Sequence, residues 1–216
     1  MDANQRHLLQ DLCTNLEWEG KPPVRWTKGL STTEIDRTCE ALGIQSFCGT
    51  GYREAVHDIG LKFTKREPHP SSCVINTAPE GQVAGEHWVC LWYHPDPDLS
   101  EQVEYFDCAG LMNLMPSVTC LMEELSPFRP VLQNLHPIQN SLDTASVACG
   151  FHCIYFLLCK EGLVPNIPTK DSYGLSLSAD NVGVLAYPEN GLHPHLNDVH
   201  AMTIIEGRLK AKGLIL

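Results

Sequence analysis

Residues 139–159, QNSLDTASVACGFHCIYFLLC, constrain the fold more than any other part of the sequence. The stretch begins with polar loop and helix-cap formers, and from Ala148 onward it is almost entirely apolar. A run of this kind is typical of a helix that is buried on most sides. Cys149 falls in the first turn, where unpaired N–H groups and the positive end of the helix dipole favour a thiolate. The stretch therefore predicts either a nucleophilic cysteine or one more buried core cysteine.

Length and composition predict one medium-sized globular domain. The chain has 216 residues, of which 43% are hydrophobic and 19% are charged. No apolar run reaches the roughly 20 residues that span a bilayer, and the polar start MDANQRHLLQDL is not that of a signal peptide. We therefore expect a soluble protein that is not secreted and has no membrane partner. The formal net charge of −11 argues against non-specific binding of nucleic acid.

The ten cysteines form no recognisable metal-binding or disulfide pattern. None is spaced C-x-x-C, and most lie in apolar or strand-like runs, so we expect mostly reduced, buried thiols. Three histidines near the C-terminus, His193, His195 and His200, have no paired cysteines and match no zinc-ligand spacing. The sequence therefore predicts no metal and no cofactor.

Periodicity and turn residues predict an α+β domain, with a mostly antiparallel sheet and helices gathered around it. A short helix at 6–16, followed by the breaker GKPPVRWTKG, marks residues 1–30 as an N-terminal extension or arm. Residues 31–216 are then a single domain, in which the glycine-rich segment 44–60 favours irregular structure. The predicted helices are 31–42, 116–125 and 196–212, and the predicted strands are 71–78, 86–94, 103–108 and 129–135.

Two of the predicted strands bring a histidine and an aspartate together. His87 begins the strand 86–94 and Asp107 ends the strand 103–108, so an antiparallel hairpin places both at one end. The carboxylate could then orient the imidazole, and the imidazole could serve Cys149 as a base. Gln139 could add its amide to the Cys149 N–H and form an oxyanion hole. Each residue alone also has a structural interpretation, as a strand histidine, a strand-end turn former or a loop amide.

Three segments together resemble the adenain family, the adenovirus endopeptidases, which belong to a cysteine-protease clan with the ubiquitin-like-protein proteases. They are VINTAPEGQVAGEHWVCLWYHP, EYFDCAGL and QN…SVACGFHCIYFLL, and TTEIDRTCEALGIQSFCGTGY is similar to the family's start. The resemblance covers about residues 33–160 and implies a papain-like architecture of the adenain type, with the nucleophile at the N-terminus of a buried helix. It implies that His87 is the base, Asp107 its orienter, Gln139 the oxyanion donor and Cys149 the nucleophile.

The resemblance also implies a narrow cleft for glycine beside the scissile bond. Trp88 would line this cleft, with Gly85 on the other side of His87 in sequence and Gly150 directly after the nucleophile. The spacing of ten positions between Gln139 and Cys149 is longer than the usual loop of the family, and Gln133 is the alternative oxyanion donor. Adenain is activated by a disulfide-linked viral peptide and by DNA. Here residues 126–139 contain no cysteine and the chain is acidic, so both routes are in question.

The main functional prediction is a viral-type cysteine endopeptidase that cleaves precursor proteins at glycine-containing sites during virion maturation. It would work in the host nucleus or cytoplasm, or packaged in the virion, with an activating peptide as a further partner. One alternative is an isopeptidase that removes ubiquitin or SUMO-like modifiers from conjugates. Another is a non-catalytic binding module on the same fold, against which the complete set of four site residues argues.

Overall fold

The computed structural model describes eight segments of the chain, and for part of them only the backbone. The described residues are 29–66, 68–81, 87–96, 103–109, 115–125, 132–133, 147–163 and 194–214. Residues 132–133, 194–197, 199, 200 and 203 are described by their backbone alone. Within these segments, no helix has the length and apolar character needed to cross a membrane.

Five strands form one sheet in the order β1-β2-β3-β4-β5. The two central pairings, β2 with β3 and β3 with β4, are antiparallel, and the two outer pairings are parallel. In β3 and β4 Cys90 lies opposite Phe106 and Tyr93 opposite Val103, so the start of β3 and the end of β4 meet at one edge. The strands are β1 Phe47–Tyr52, β2 Ser71–Asn76, β3 Trp88–Tyr93, β4 Val103–Phe106 and β5 Leu132–Gln133.

Helices cover both faces of the sheet, and the alternation of side chains along β3 shows how the core divides. Its even-numbered residues Trp88, Cys90 and Trp92 lie in one buried cluster, and its odd-numbered residues lie in a second. Helices α1, α4 and α5 contribute to the first cluster, whereas α2 and α3 contribute to the second. The helices are α1 Thr32–Leu42, α2 Val56–Thr64, α3 Pro116–Leu125, α4 Cys149–Lys160 and α5 Pro194–Ala211.

Helix α4 is the central helix of the domain and is buried from Cys149 to Cys159. It packs against α5 on one side and against β3 on the other. Its C-terminal end is fixed by Glu161, which accepts the backbone N–H groups of Gln45 and Ser46 at 2.8 and 2.6 Å. Because the far end is anchored and the flanks are packed, the first turn of α4 has a defined position at the edge where β3 begins.

The predicted α+β architecture is confirmed, with a sheet flanked by helices and Cys149 at the N-terminus of a buried helix. Helix α3 has the predicted bounds. Helix α1 begins with Ser31 as N-cap in a capping box with Glu34, and Gly43 ends it with a φ of 76°. The structure corrects the segment 44–60, which was expected to be irregular but forms β1 and the start of α2.

Most of the predicted N-terminal arm, including its helix at 6–16, lies outside the described residues. Its last residue, Leu30, is buried in the core cluster that contains α4. The final residue of the predicted arm therefore packs as part of the domain core.

Candidate active site

His87 and Asp107 meet where the β3–β4 hairpin ends, as their strand positions predict. His87 precedes β3 and Asp107 follows β4, and the His87 Nε2 lies 2.6 Å from Asp107 Oδ1. The Thr77 N–H donates to the His87 carbonyl at 2.9 Å, which ties the histidine backbone to the end of β2. Asp107 Oδ1 also accepts the Ala109 N–H at 2.8 Å. Both residues are thus fixed by neighbouring backbone as well as by each other.

The thiol of Cys149 hydrogen-bonds to His87 from the first turn of α4. Because Asp107 accepts the Nε2 proton, Nδ1 is the ring nitrogen left to face the thiol. The N-cap position, Ala148, provides no side-chain capping bond, so the first backbone N–H groups of α4 depend on other partners. The structure thus brings three sequence-predicted residues into one line: carboxylate, imidazole and thiol.

The pKa of His87 reflects its contacts with Asp107 and Cys149. Burial by itself lowers that pKa, but hydrogen bonds to Asp107 and Cys149 and the charges of those two residues outweigh burial and raise it to about 9. The His87 side chain keeps 14% of its surface exposed, whereas that of Asp107 keeps 3%. At neutral pH the imidazole is therefore a cation, and it lies between the buried Asp107 side chain and Cys149.

Burial acts differently on six other cysteines. Burial is the main cause that raises the pKa of six thiols well above its ordinary value, so these stay protonated at neutral pH. Within the described segments, only Cys149 joins a helix N-terminus to a hydrogen bond with a histidine. The six raised thiols are Cys39, Cys73, Cys90, Cys108, Cys153 and Cys159.

Trp88 and Gly150, both predicted to line the cleft, pack around Leu30. The Trp88 indole is 6% exposed and donates through Nε1 to the Leu30 carbonyl at 2.8 Å. A Cβ on Gly150 would lie 3.2 Å from the Leu30 Cβ and 3.4 Å from Ile35 Cδ1. The missing side chain of Gly150 therefore makes room for the core, and the two residues hold the N-terminal segment against the start of α4.

The two remaining predicted site residues, Gln139 and Gly85, lie outside the described residues. The alternative oxyanion donor, Gln133, is described by its backbone alone, which pairs with Tyr105 on β4. Strand β4 ends at Phe106, so the backbone of Gln133 pairs with the strand two residues before Asp107. The glutamine of the oxyanion hole stays a prediction.

A second histidine–aspartate pair, largely buried, joins α4 to α5 and was not predicted. His152, one turn after Cys149, meets Asp198 of α5 with 2.8 Å between Nε2 and Oδ1, and the His152 side chain is 1% exposed. Burial, together with charges that include those of Asp107 and Asp198, raises the pKa of the Cys108 thiol. The sequence signal was weak, because the partners are separated by 46 positions.

Comparisons with known proteins give limited similarity. No protein-family model matches the sequence, and no relative is found among curated proteins. The chain is similar to the solved structure of the SUMO protease Ulp1 with the catalytic cysteine oxidized to a sulfenic acid. The sequence identity is 10% and the TM-score is 0.40, over 95% of this chain and 97% of that one. At this level the similarity assigns the chain to no family.

Proposed function

We propose that the protein is a cysteine peptidase in which Cys149 is the nucleophile, His87 the general base and acid, and Asp107 the residue that orients His87. One observation supports this most strongly: His87 bonds both to Asp107, through Nε2, and to Cys149. A nucleophilic thiol needs a base within hydrogen-bond reach and a group that fixes the base. This arrangement is costly to keep without a use, because it leaves a charged pair largely buried.

The reaction follows from the placement of these groups. The Cys149 proton resides on His87 Nδ1, and the thiolate sulfur attacks the carbonyl carbon of the scissile peptide. The imidazolium then gives that proton to the leaving amine as the C–N bond breaks, which leaves a thioester on Cys149. Water attacks the thioester, His87 takes one of its protons, and the carboxylic acid leaves as the thiolate is restored. Asp107 holds the ring in place throughout and stabilises its positive charge.

Protein substrates cleaved after glycine are the second part of the proposal. It rests on the segments that resemble the adenain family and its clan, including the His-Trp of β3 and the Ala-Cys-Gly at the start of α4. Virion precursors are the substrates that the adenain-like segments favour. Conjugates of ubiquitin-like modifiers are the alternative, because both substrate classes present glycine before the scissile bond. The intracellular, nuclear or virion setting belongs to the same proposal.

Activation differs in this proposal from that of the resembled family. The chain has a net charge of −11, which disfavours DNA as a cofactor, and no cysteine between residues 126 and 139 offers a disulfide to a peptide. We expect turnover to be unchanged by added DNA at low salt and undiminished by a reducing agent. A large rise with DNA that vanishes at high salt would show that a local basic patch outweighs the net charge.

The decisive experiment exposes the purified chain to matched sets of viral-precursor peptides and modifier conjugates. Each substrate is offered to the wild type, to Cys149→Ser and to Cys120→Ser, whose thiol is exposed on α3. We expect cleavage of one set by the wild type and by Cys120→Ser, and none by Cys149→Ser. Tight binding without turnover by all three proteins would support the binding-module alternative. Equal turnover by Cys149→Ser would exclude the proposed nucleophile.

A further inference from the structure

Just after β4, Cys108 lies beside His87 and Asp107 and adds a third side chain that can bind a metal ion. A ring nitrogen of His87, a carboxylate oxygen of Asp107 and the Cys108 sulfur all lie within 4.8 Å of one another. Asp107 and Cys108 are both buried, and His87 is the partly exposed member. Cys108 has no part in the proposed reaction. A nitrogen, an oxygen and a sulfur donor converging at one point is an arrangement that the catalytic line alone does not require.

We propose that His87, Asp107 and Cys108 form a binding site for a zinc-class divalent ion, and that the bound ion silences the enzyme. Imidazole, thiolate and carboxylate are the three side-chain types that bind Zn²⁺ in proteins. Harder ions such as Mg²⁺ and Ca²⁺ prefer sites made of oxygen donors only, so the sulfur and nitrogen select against them. Three protein donors with one open position also match the coordination that zinc keeps where a further ligand can enter.

The donor separations are close to those that zinc requires. Zinc–nitrogen and zinc–oxygen distances of about 2.0–2.2 Å and a zinc–sulfur distance of about 2.3 Å put tetrahedral ligands about 3.3–3.8 Å apart. His87 Nε2 and Asp107 Oδ1 would move apart from 2.6 Å, and the Cys108 sulfur would move inward from at most 4.8 Å. Side-chain adjustments of about 1 Å meet both needs. The Ala109 N–H on Asp107 Oδ1 would serve as the outer contact that orients a metal-bound carboxylate.

Silencing follows from which nitrogen is used. An ion bound to Nε2 replaces the proton that His87 donates to Asp107, so Asp107 no longer orients the His87 ring through a hydrogen bond. The ion also withdraws electron density from the ring, which makes Nδ1 a poorer proton acceptor for Cys149. Binding releases the Nε2 proton and the Cys108 thiol proton to solvent. The loss of activity rests on the proposed function, whereas binding of the ion does not.

Binding is tested without activity, on the full chain carrying Cys149→Ser so that the nucleophilic thiol cannot contribute. We expect calorimetry with ZnCl₂ to show one ion per chain, and CoCl₂ to give the absorption band of a cobalt–thiolate bond. Adding Cys108→Ser should abolish that band and weaken zinc binding about tenfold or more. Cys73→Ser is the matched control, because Cys73 is equally buried but lies in the cluster on the opposite face of the sheet.

Inhibition is tested on the chain with Cys149 intact. Zinc should stop turnover and EDTA should restore it, while Cys108→Ser should turn over normally without zinc and need about tenfold more zinc to stop. Cys108→Ala gives the same test if the serine variant does not fold. A cobalt–thiolate band that persists without Cys108, or equal zinc sensitivity of the Cys108 variants, would overturn the proposal. If no substrate is cleaved but the cobalt band depends on Cys108, the proposed function fails and the metal site stands.

Discussion

His87 Nε2 lies 2.6 Å from Asp107 Oδ1, across the edge where β3 begins and β4 ends. A carboxylate can only accept in this contact, so Nε2 carries a proton whether the ring is neutral or cationic. Nδ1 then faces Cys149. In the proposed reaction, the proton that moves is therefore the one on Nδ1.

The pKa of His87 should fall when Asp107 is changed to asparagine. Burial lowers this pKa, and the bonds and charges of Asp107 and Cys149 raise it to about 9. Without the charge of Asp107, the lowering effect of burial is offset less, so the pKa falls. A proton NMR titration of the His87 ring in the wild type and in Asp107→Asn measures the change. In kinetics, His87→Ala should lower kcat by about 10²–10⁴-fold. Asp107→Asn should lower it less, because the base itself remains. An unchanged His87 pKa in Asp107→Asn would contradict the assigned contact.

The same pKa predicts how stability depends on pH. The pKa of His87 is higher in the folded protein, at about 9, than the ordinary value of 6.5 that applies when unfolded. The folded state therefore binds more protons between these values, and the contribution of His87 to the free energy of unfolding is complete below about pH 6.5. It is lost as pH rises through about 9. Urea unfolding across this range should show a decline for the wild type that is reduced in His87→Gln.

The positions of His87, Asp107 and Cys149 could be predicted from sequence, because two short rules place all three residues. A hairpin brings the residue before one strand to the residue after the next, which locates His87 and Asp107. A polar loop before an apolar run marks a helix start, which locates Cys149. The pair His152–Asp198 follows from no such rule. Its partners lie on α4 and α5, whose contact depends on the packing of the whole domain.

Cys149 should react first with a small alkylating reagent although it is less exposed than Cys120. Cys149 is 9% exposed and bonds to a cationic imidazole, whereas Cys120 lies on the surface of α3. We expect the hydrogen bond to His87 to favour reaction at Cys149 more than exposure favours reaction at Cys120. Mass spectrometry of brief labelling with iodoacetamide at neutral pH measures the order. His87→Gln should lower the labelling rate of Cys149 towards that of Cys120. Faster labelling of Cys120 than of Cys149 in the wild type would contradict the proposal that His87 activates Cys149.

Part of the fold could not be predicted, and the missed segment shows why. The strand β1 has the sequence FCGTGY, in which two glycines weaken the strand signal, and Gly49 adopts a φ of 128°. Strand β1 pairs with β2 in parallel, with a shift of register between Phe47 and Thr50. Parallel strands are not joined by a tight hairpin turn, so no turn motif in the sequence predicts this pairing. Helix α2 contains Gly60, where a Cβ would lie 2.3 Å from Leu121 Cδ1. That glycine permits close approach of α3, a reason invisible in the local sequence.

Two glycine-to-alanine changes should have opposite effects on stability. A Cβ on Gly150 would press on Leu30 and Ile35, and overpacking of this kind costs about 1–3 kcal/mol. Gly207 lies exposed in α5 with nothing within 4 Å of a Cβ, so alanine there should stabilise by about 0.5–1 kcal/mol. Chemical denaturation of the two variants measures both signs. A stabilised Gly150→Ala would show that Leu30 moves aside freely.

The buried pair His152–Asp198 should stabilise the protein more than an exposed ion pair does. Removing one partner with Asp198→Ala leaves the 1% exposed His152 ring without that bond, which should cost about 1–3 kcal/mol. A double-mutant cycle with His152→Ala should give a coupling of about 0.5–3 kcal/mol. Arg53 and Glu54 are the control, because their side chains are each 49% exposed, so solvent screens their interaction and their coupling should be much smaller. Equal coupling energies in the two cycles would contradict the prediction that the buried pair stabilises the protein more than the exposed one.

Selectivity for glycine next to the scissile bond should depend on the indole of Trp88. The ring lies next to His87 in sequence and is held by its bond to the Leu30 carbonyl at 2.8 Å, so it cannot easily move for a substrate side chain. Displacing it would cost about 1–3 kcal/mol, which corresponds to about a ten- to hundredfold preference for glycine over alanine. Trp88→Ala should reduce that ratio and lower activity as the support of the His87 strand loosens. Trp88→Phe is the control, because it keeps an aromatic ring and loses the hydrogen bond. The measurement is the ratio of kcat/KM for matched glycine and alanine peptides. A wild type that cleaves both equally well would contradict the narrow cleft and the substrate class inferred from it.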